Sequence, residues 1–144
     1  KRERASGSSR ALTQEDLDAL ANLDIEGWWQ VPETRDPVEE PLMRAAAWYF
    51  LYARNARGFP ADPVARFHLG NGARLERMHF LADVSENGIG QAHGIMVNYL
   101  YALDDIVKNH EAFAENRLVV ASSAVRKLAR PGPTGDVVPL ASQA

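Results

Sequence analysis

The sequence has no cysteine in its 144 residues. That excludes disulfide frameworks, thiolate zinc sites and cysteine nucleophiles together, and it fits a reducing compartment. No apolar run approaches the roughly 18 residues of a membrane span. The opening "KRERASGSSR" is basic but is followed by no apolar stretch, so it does not read as a secretory signal. No sign of charge is in large excess: the net charge is −3, which argues against a broad basic surface for nucleic acid and leaves room only for a local basic patch. The four histidines, His68, His79, His93 and His110, contain no pair at HxH or HxxxH spacing. No acidic cluster completes a ligand set, so no metal is expected. An initiator methionine is also missing, from which we expect a chain that begins inside a longer protein.

What is present is enough for a core. The hydrophobic fraction of 46% is ordinary for a globular domain, and the length suits one domain or a large piece of one. Residues 1–11 read as a linker or tail. Residues 131–144, "PGPTGDVVPLASQA", read as a second flexible tail. Between them the pattern predicts four helices. The first covers about 14–23, with Thr13 as cap and Asp16 at the capping-box position. The second covers about 39–56, with Pro41 in its first turn, and its middle, "LMRAAAWYFLYA", is apolar on all sides. Such a helix needs other elements around it. The third covers about 104–115, capped by Asp104 or Asp105, and the fourth about 122–130, capped by Ser122 or Ser123.

Strands are expected between helices two and three. Residues 64–69 and 73–82 flank Asn71-Gly72, a turn signal, and read as a hairpin. Residues 94–101, "GIMVNYLY", read as a buried strand. The class is therefore α+β. A two-residue turn at Asn71-Gly72 would pair His68 with Leu75 and set it on one side with Arg77 and His79. A mixed face of that kind lines pockets and also occurs on edge strands.

Each candidate has a plain reading beside the chemical one. A lone strand histidine such as His68 is usually satisfied by hydrogen bonds in the core or at the surface. "NGIGQAHG" (87–94) is Gly-rich like a phosphate-binding loop, yet it fits neither GxGxxG nor the Walker pattern and reads as a loop before a strand. Tyr99 and Tyr101 share one side of their strand and Asn98 takes the other; packing is the ordinary role for such tyrosines. Arg44, alone in an apolar helix, needs a carboxylate, a carbonyl or an anionic ligand if it is buried. Arg66 and Arg77 either attract an anionic ligand or are simply solvated.

A longer string says more. "PLMR" at 41–44, "AWY" at 47–49, "RG" at 57–58, "DPVARFHLGNGA" at 62–73, "MVNYLY" at 96–101 and "ASSAVRKLA" at 121–129 together resemble the malonyl-CoA decarboxylase family over about residues 12–130. The resemblance implies that 12–130 is the C-terminal part of a catalytic domain with the fold of the GNAT acyltransferases, a mixed sheet flanked by helices. It implies decarboxylation of malonyl-CoA to acetyl-CoA and CO2. Of the family's catalytic serine and histidine, the histidine falls on His68. A further catalytic tyrosine falls on Tyr101, and substrate contacts fall on His68 and Asn71. The serine belongs to a Ser-Pro-rich segment upstream, and this sequence has no Ser-Pro dipeptide. The implied partners are malonyl-CoA, the upstream part of the same enzyme and further copies in a homo-oligomer, with no nucleic acid or membrane. The implied location is cytoplasmic, for a bacterial-type enzyme, with an organellar homologue as the alternative.

The chemistry fits these parts. Loss of CO2 from a malonyl thioester leaves an enolate whose electrons the thioester carbonyl accepts, so no cofactor is expected. Donors must stabilise the oxygen charge and an acid must protonate carbon; an imidazole suits the second task. Two alternatives stay open from sequence: a GNAT-type N-acyltransferase, and an inactive segment serving packing or assembly.

Overall fold

The computed structural model describes residues 11–129. The expected tails over 1–11 and 131–144 lie outside the described residues except for Ala11, which is buried, so packing has begun by that position.

Helix α1 (Gln14–Leu20) starts as its sequence dictates. The Thr13 hydroxyl accepts from the Asp16 N–H at 3.2 Å, and the Asp16 carboxylate accepts from the Thr13 N–H at 3.0 Å. A 3-10 turn (Ala21–Asp24) continues it, so the expected 14–23 helix divides in two. Helix α2 (Pro32–Tyr52) begins well before residue 39, with Pro32 in its first turn and both Pro37 and Pro41 inside it. An interior proline costs about 3 kcal/mol in a free helix. Here Val38 and Leu42 are buried on either side of Pro41, and tertiary packing overrides that cost.

The largest correction concerns His68. Residues 64–69 are not a strand. They belong to helix α3 (Pro63–Gly70), and Asn71-Gly72 ends that helix and is not a hairpin turn. The Gly72 N–H bonds the Leu69 carbonyl and the Ala73 N–H bonds the His68 carbonyl, each at 3.1 Å, in the double closure of a Schellman C-cap. Gly72 takes φ +89° to make it. His68 therefore neither pairs with Leu75 nor shares a strand face with Arg77 and His79.

Strand β1 (Arg74–His79) pairs antiparallel with β2 (Met96–Leu100), Leu75 opposite Tyr99 and His79 opposite Met96, with a bulge between Leu75 and Arg77. Leu75 also forms a parallel bridge to Ala121, donating to the Val120 carbonyl and accepting from the Ser122 N–H at 2.9 Å each. The expected mixed sheet is thus a two-stranded antiparallel ladder with one parallel bridge. Among the described residues β2 pairs with β1 alone. It is less buried than expected, with Met96, Asn98 and Leu100 exposed.

Between the strands, residues expected as a Gly-rich loop form helix α4 (Glu86–Ala92), capped by the Ser85 hydroxyl on the Gly88 N–H at 3.0 Å. Gly88 is there for close approach: a Cβ would lie 2.3 Å from the Asp83 carboxyl carbon. A 3-10 turn (Leu103–Asp105) leads into α5 (Ile106–Asn116), where Asp105 stands at the N-cap position without a side-chain capping bond. Helix α6 (Ser123–Leu128) is capped by Ser122, as expected.

These elements bury two apolar clusters. The C-terminal half of α2, with α3, β1, α5 and α6, encloses Leu51, Leu69, Leu75, Phe113 and Val125. The N-terminal half of α2 packs with α1 around Leu20, Trp28, Val38 and Leu42. Helix α2 is the beam common to both. The result is α+β, and among the described residues no helix is long and apolar enough to cross a membrane.

Candidate active site

His68 is held at both ends of its own helix. Upstream, the Asp62 carboxylate caps α3 by accepting from the Ala65 N–H at 2.9 Å, and Pro63 follows in the first turn. Downstream is the Schellman closure on its carbonyl. Ala65 and Leu69 anchor the helix in the core at i, i+4 spacing, which turns Val64, Phe67 and His68 toward the opposite face.

β2 and the residue just after it supply the rest. The Tyr101 hydroxyl lies 2.6 Å from His68 Nδ1. The Tyr99 ring stacks on the imidazole with centroids 4.4 Å apart and planes at 21°, while Tyr101 stands at 67° to it. The two expected catalytic residues, distant in sequence, are therefore in direct contact. Asn71, the other expected site residue, is exposed at the C-cap of α3.

His68 and Tyr99 form part of the wall of a cleft of about 930 Å³. Its lining is mostly apolar, with Leu42, Trp48, Tyr49, Ile95 and Val97 among the contributors, and Asp62 brings a carboxylate. The stretch "AWYFLY", expected as core, is split: Ala47 and Leu51 are buried in the core, whereas Trp48, Tyr49 and Phe50 face the cleft. Burial, then the Asp62 charge, then Tyr101 hold the Tyr99 phenol well above the usual tyrosine range, so it stays protonated. Its hydroxyl and the Trp48 indole N–H are buried without a hydrogen-bond partner.

The other candidates have structural roles. Arg44 donates to Asp16 at 2.5 Å and to Glu40 at 2.8 Å, the ion-pair solution expected of it. Arg66, half-buried, donates through Nη1 to the Pro60 and Ala61 carbonyls at 2.8 and 2.9 Å, bracing the entry to α3. Arg77 is exposed. His79 bonds Asn98 across the strands, and His110 Nδ1 lies 2.7 Å from the Gly70 carbonyl. Among the described residues no three acidic or imidazole groups gather as a metal-ligand set.

Tyr99 and the Trp48 wall were not legible as site residues. Asp62 was within reach: Asp-Pro is a cap followed by a first-turn proline, and that pair marks the start of α3.

An imidazole bonded through Nδ1 to a phenol, at the side of an apolar cleft, can deliver or take a proton at Nε2. Comparisons with known proteins give the family. Residues 1–137 match the family model described as malonyl-CoA decarboxylase C-terminal domain. The mitochondrial malonyl-CoA decarboxylase of Anser anser anser is 41% identical over 68% of this chain, which spans 19% of that relative's length. Crystal structures of malonyl-CoA decarboxylase from Rhodopseudomonas palustris and Agrobacterium vitis are 52% and 50% identical, with TM-scores of 0.84 and 0.82. Each is matched over 88% of this chain, which covers 29% and 31% of those chains. With a family model matching residues 1–137 of its 144, and with structural relatives at that identity, this chain belongs to the malonyl-CoA decarboxylase family, in the family's C-terminal domain.

Proposed function

We propose that this chain supplies the histidine side of an active site that converts malonyl-CoA to acetyl-CoA and CO2, a carboxy-lyase reaction. The observation that carries the reading is the 2.6 Å contact between His68 Nδ1 and the Tyr101 hydroxyl. The bond from Cα to the carboxylate breaks, CO2 leaves, and its electron pair passes into the thioester carbonyl as an enolate. The enolate carbon then takes the proton held on His68, and the imidazole is reprotonated from solvent. Tyr101 keeps Nδ1 engaged, which leaves Nε2 to face the substrate. Asn71, exposed beyond the same helix, is the proposed polar contact to the substrate.

The donors that stabilise the enolate oxygen, a serine among them, are assigned to an upstream part of the same enzyme. The short β1–β2 ladder is the end of a GNAT-like mixed sheet which that part continues. A bacterial-type, oligomeric enzyme of the cytoplasm is the setting we propose; the 52% and 50% identities to the two bacterial proteins support the bacterial type.

The test is His68→Asn in the complete enzyme, assayed on malonyl-CoA with no acceptor amine, which separates decarboxylation from acyl transfer. Turnover is expected to fall about 10²-fold or more, the usual scale for losing a general acid, with thermal stability unchanged. Near-normal turnover would remove His68 from the chemistry. Exhaustive chelation is expected to leave the parent's rate intact, because the thioester is its own electron sink. A loss that zinc or magnesium restores would contradict that mechanism.

A further inference from the structure

We propose that Tyr99 is a positioning residue for His68: its ring, lying flat against the imidazole, sets the plane in which His68 meets the substrate. This rests on the decarboxylase reading above.

The contact to Tyr101 fixes one point of the imidazole. The ring still turns about its Cα–Cβ and Cβ–Cγ bonds; a single hydrogen bond at Nδ1 restrains that motion without fixing the ring plane, and a residual swing moves Nε2 across the cleft. The Tyr99 face, 4.4 Å away and tilted by 21°, blocks that swing. Phe67, packed edge-on at 5.2 Å and 79°, closes a further side. Tyr99 is itself well placed to act as a fixed surface, since its β-partner Leu75 is 1% exposed.

The ring does this, and the hydroxyl does not. Tyr99 Oη is buried with no hydrogen-bond partner, and its phenol stays protonated. It is therefore neither a relay to His68 nor a base. Tyr99 in β2 and Tyr101 just beyond its end divide the work: Tyr101 holds the imidazole by an atom, Tyr99 by its plane.

The experiment compares Tyr99→Phe and Tyr99→Leu with the parent in the complete enzyme. Two readouts are taken: kcat and KM on malonyl-CoA, and the NMR shifts of 13C-labelled histidine. A tyrosine or phenylalanine face shields the carbon-bound protons of a stacked imidazole, so His68 should show upfield-shifted ring protons in the parent and in Tyr99→Phe. Tyr99→Leu should lose that shift and lose about tenfold or more in kcat with KM unchanged, because sub-ångström to ångström misplacement costs up to about 10²-fold. Tyr99→Phe should keep parental kcat. If Tyr99→Leu does not fold, Tyr99→Met replaces it as the ringless variant. A ringless variant with parental kcat, or a Tyr99→Phe variant as impaired as the ringless one, would overturn the proposal. A parent that fails to decarboxylate malonyl-CoA would instead sink the functional reading beneath it, so the two failures are told apart.

Discussion

Gly72 takes φ +89° at a point where a Cβ would come within 2.5 Å of the Ile106 carbonyl oxygen. Its own carbonyl accepts from the buried Asn109 amide at 3.2 Å. The residue thus ends the helix that carries His68 and docks that end against α5. Gly72→Ala should cost about 2 kcal/mol or more, combining a left-handed backbone penalty with a clash against main chain that cannot rotate away; thermal denaturation of the complete enzyme checks this, and a shift within error would count against it. The same residue explains what the sequence concealed. Asn-Gly meets the positive-φ demand of a hairpin and of a Schellman cap alike, so the dipeptide could not choose between strand and helix for residues 64–69. Asp62-Pro63 with Ala65 and Leu69 could have chosen, as a cap, a first-turn proline and a buried i, i+4 pair. The meeting of His68 and Tyr101 was legible only through family resemblance, since no local spacing joins positions so far apart. The Tyr99 stack was hidden for the same reason, behind the ordinary expectation that a strand tyrosine packs.

Helix α1 has seven residues, too few to persist unaided, and it is tied to α2 by Asp16 and Arg44. Their side chains are 16% and 11% exposed and the oxygen–nitrogen distance is 2.5 Å. Burial opposes ionisation of Asp16, but the Thr13 N–H and the Arg44 guanidinium outweigh it and hold the carboxyl below its usual 3.8. A lowered carboxyl contributes stability that is complete above the unfolded value and is lost as pH falls through the folded one. In the complete enzyme, denaturation midpoints should therefore hold steady above about pH 5 and decline below about pH 4, with Arg44→Met flattening that decline. Arg44→Ala should cost about 3 kcal/mol, because it strands a mostly buried carboxylate. A decline unchanged in Arg44→Met would mean that other carboxylates set the acid limit. That Arg44 needed an anion was legible from its apolar surroundings. That Asp16 provides it was not, and neither was the early start of α2, because Pro37 and Pro41 argue locally for a later one.

The molecule as a whole is two apolar clusters on one long helix with a cleft between them, and much apolar surface stays uncovered. Phe67 is 65% exposed, Leu103 87% and Val107 69%. Burying side chains of that size contributes roughly 1.5–3 kcal/mol each, a large share of a net stability of about 5–15 kcal/mol. Residues 1–144 by themselves should accordingly be inactive on malonyl-CoA, bind a hydrophobic dye, and give no sharp unfolding transition. Mixing with the upstream part proposed above should restore a compact, active complex. A monodisperse chain that unfolds cooperatively by itself would show that the exposed surface needs no such cover. Strand β2 sharpens the expectation. Its outer edge offers main-chain donors and acceptors to any extended segment that arrives, copies of the same strand included. Dilution rather than cooling then becomes what protects the chain during refolding: well-separated molecules wait for the intended neighbour, while crowded ones join edge to edge and are lost to sediment.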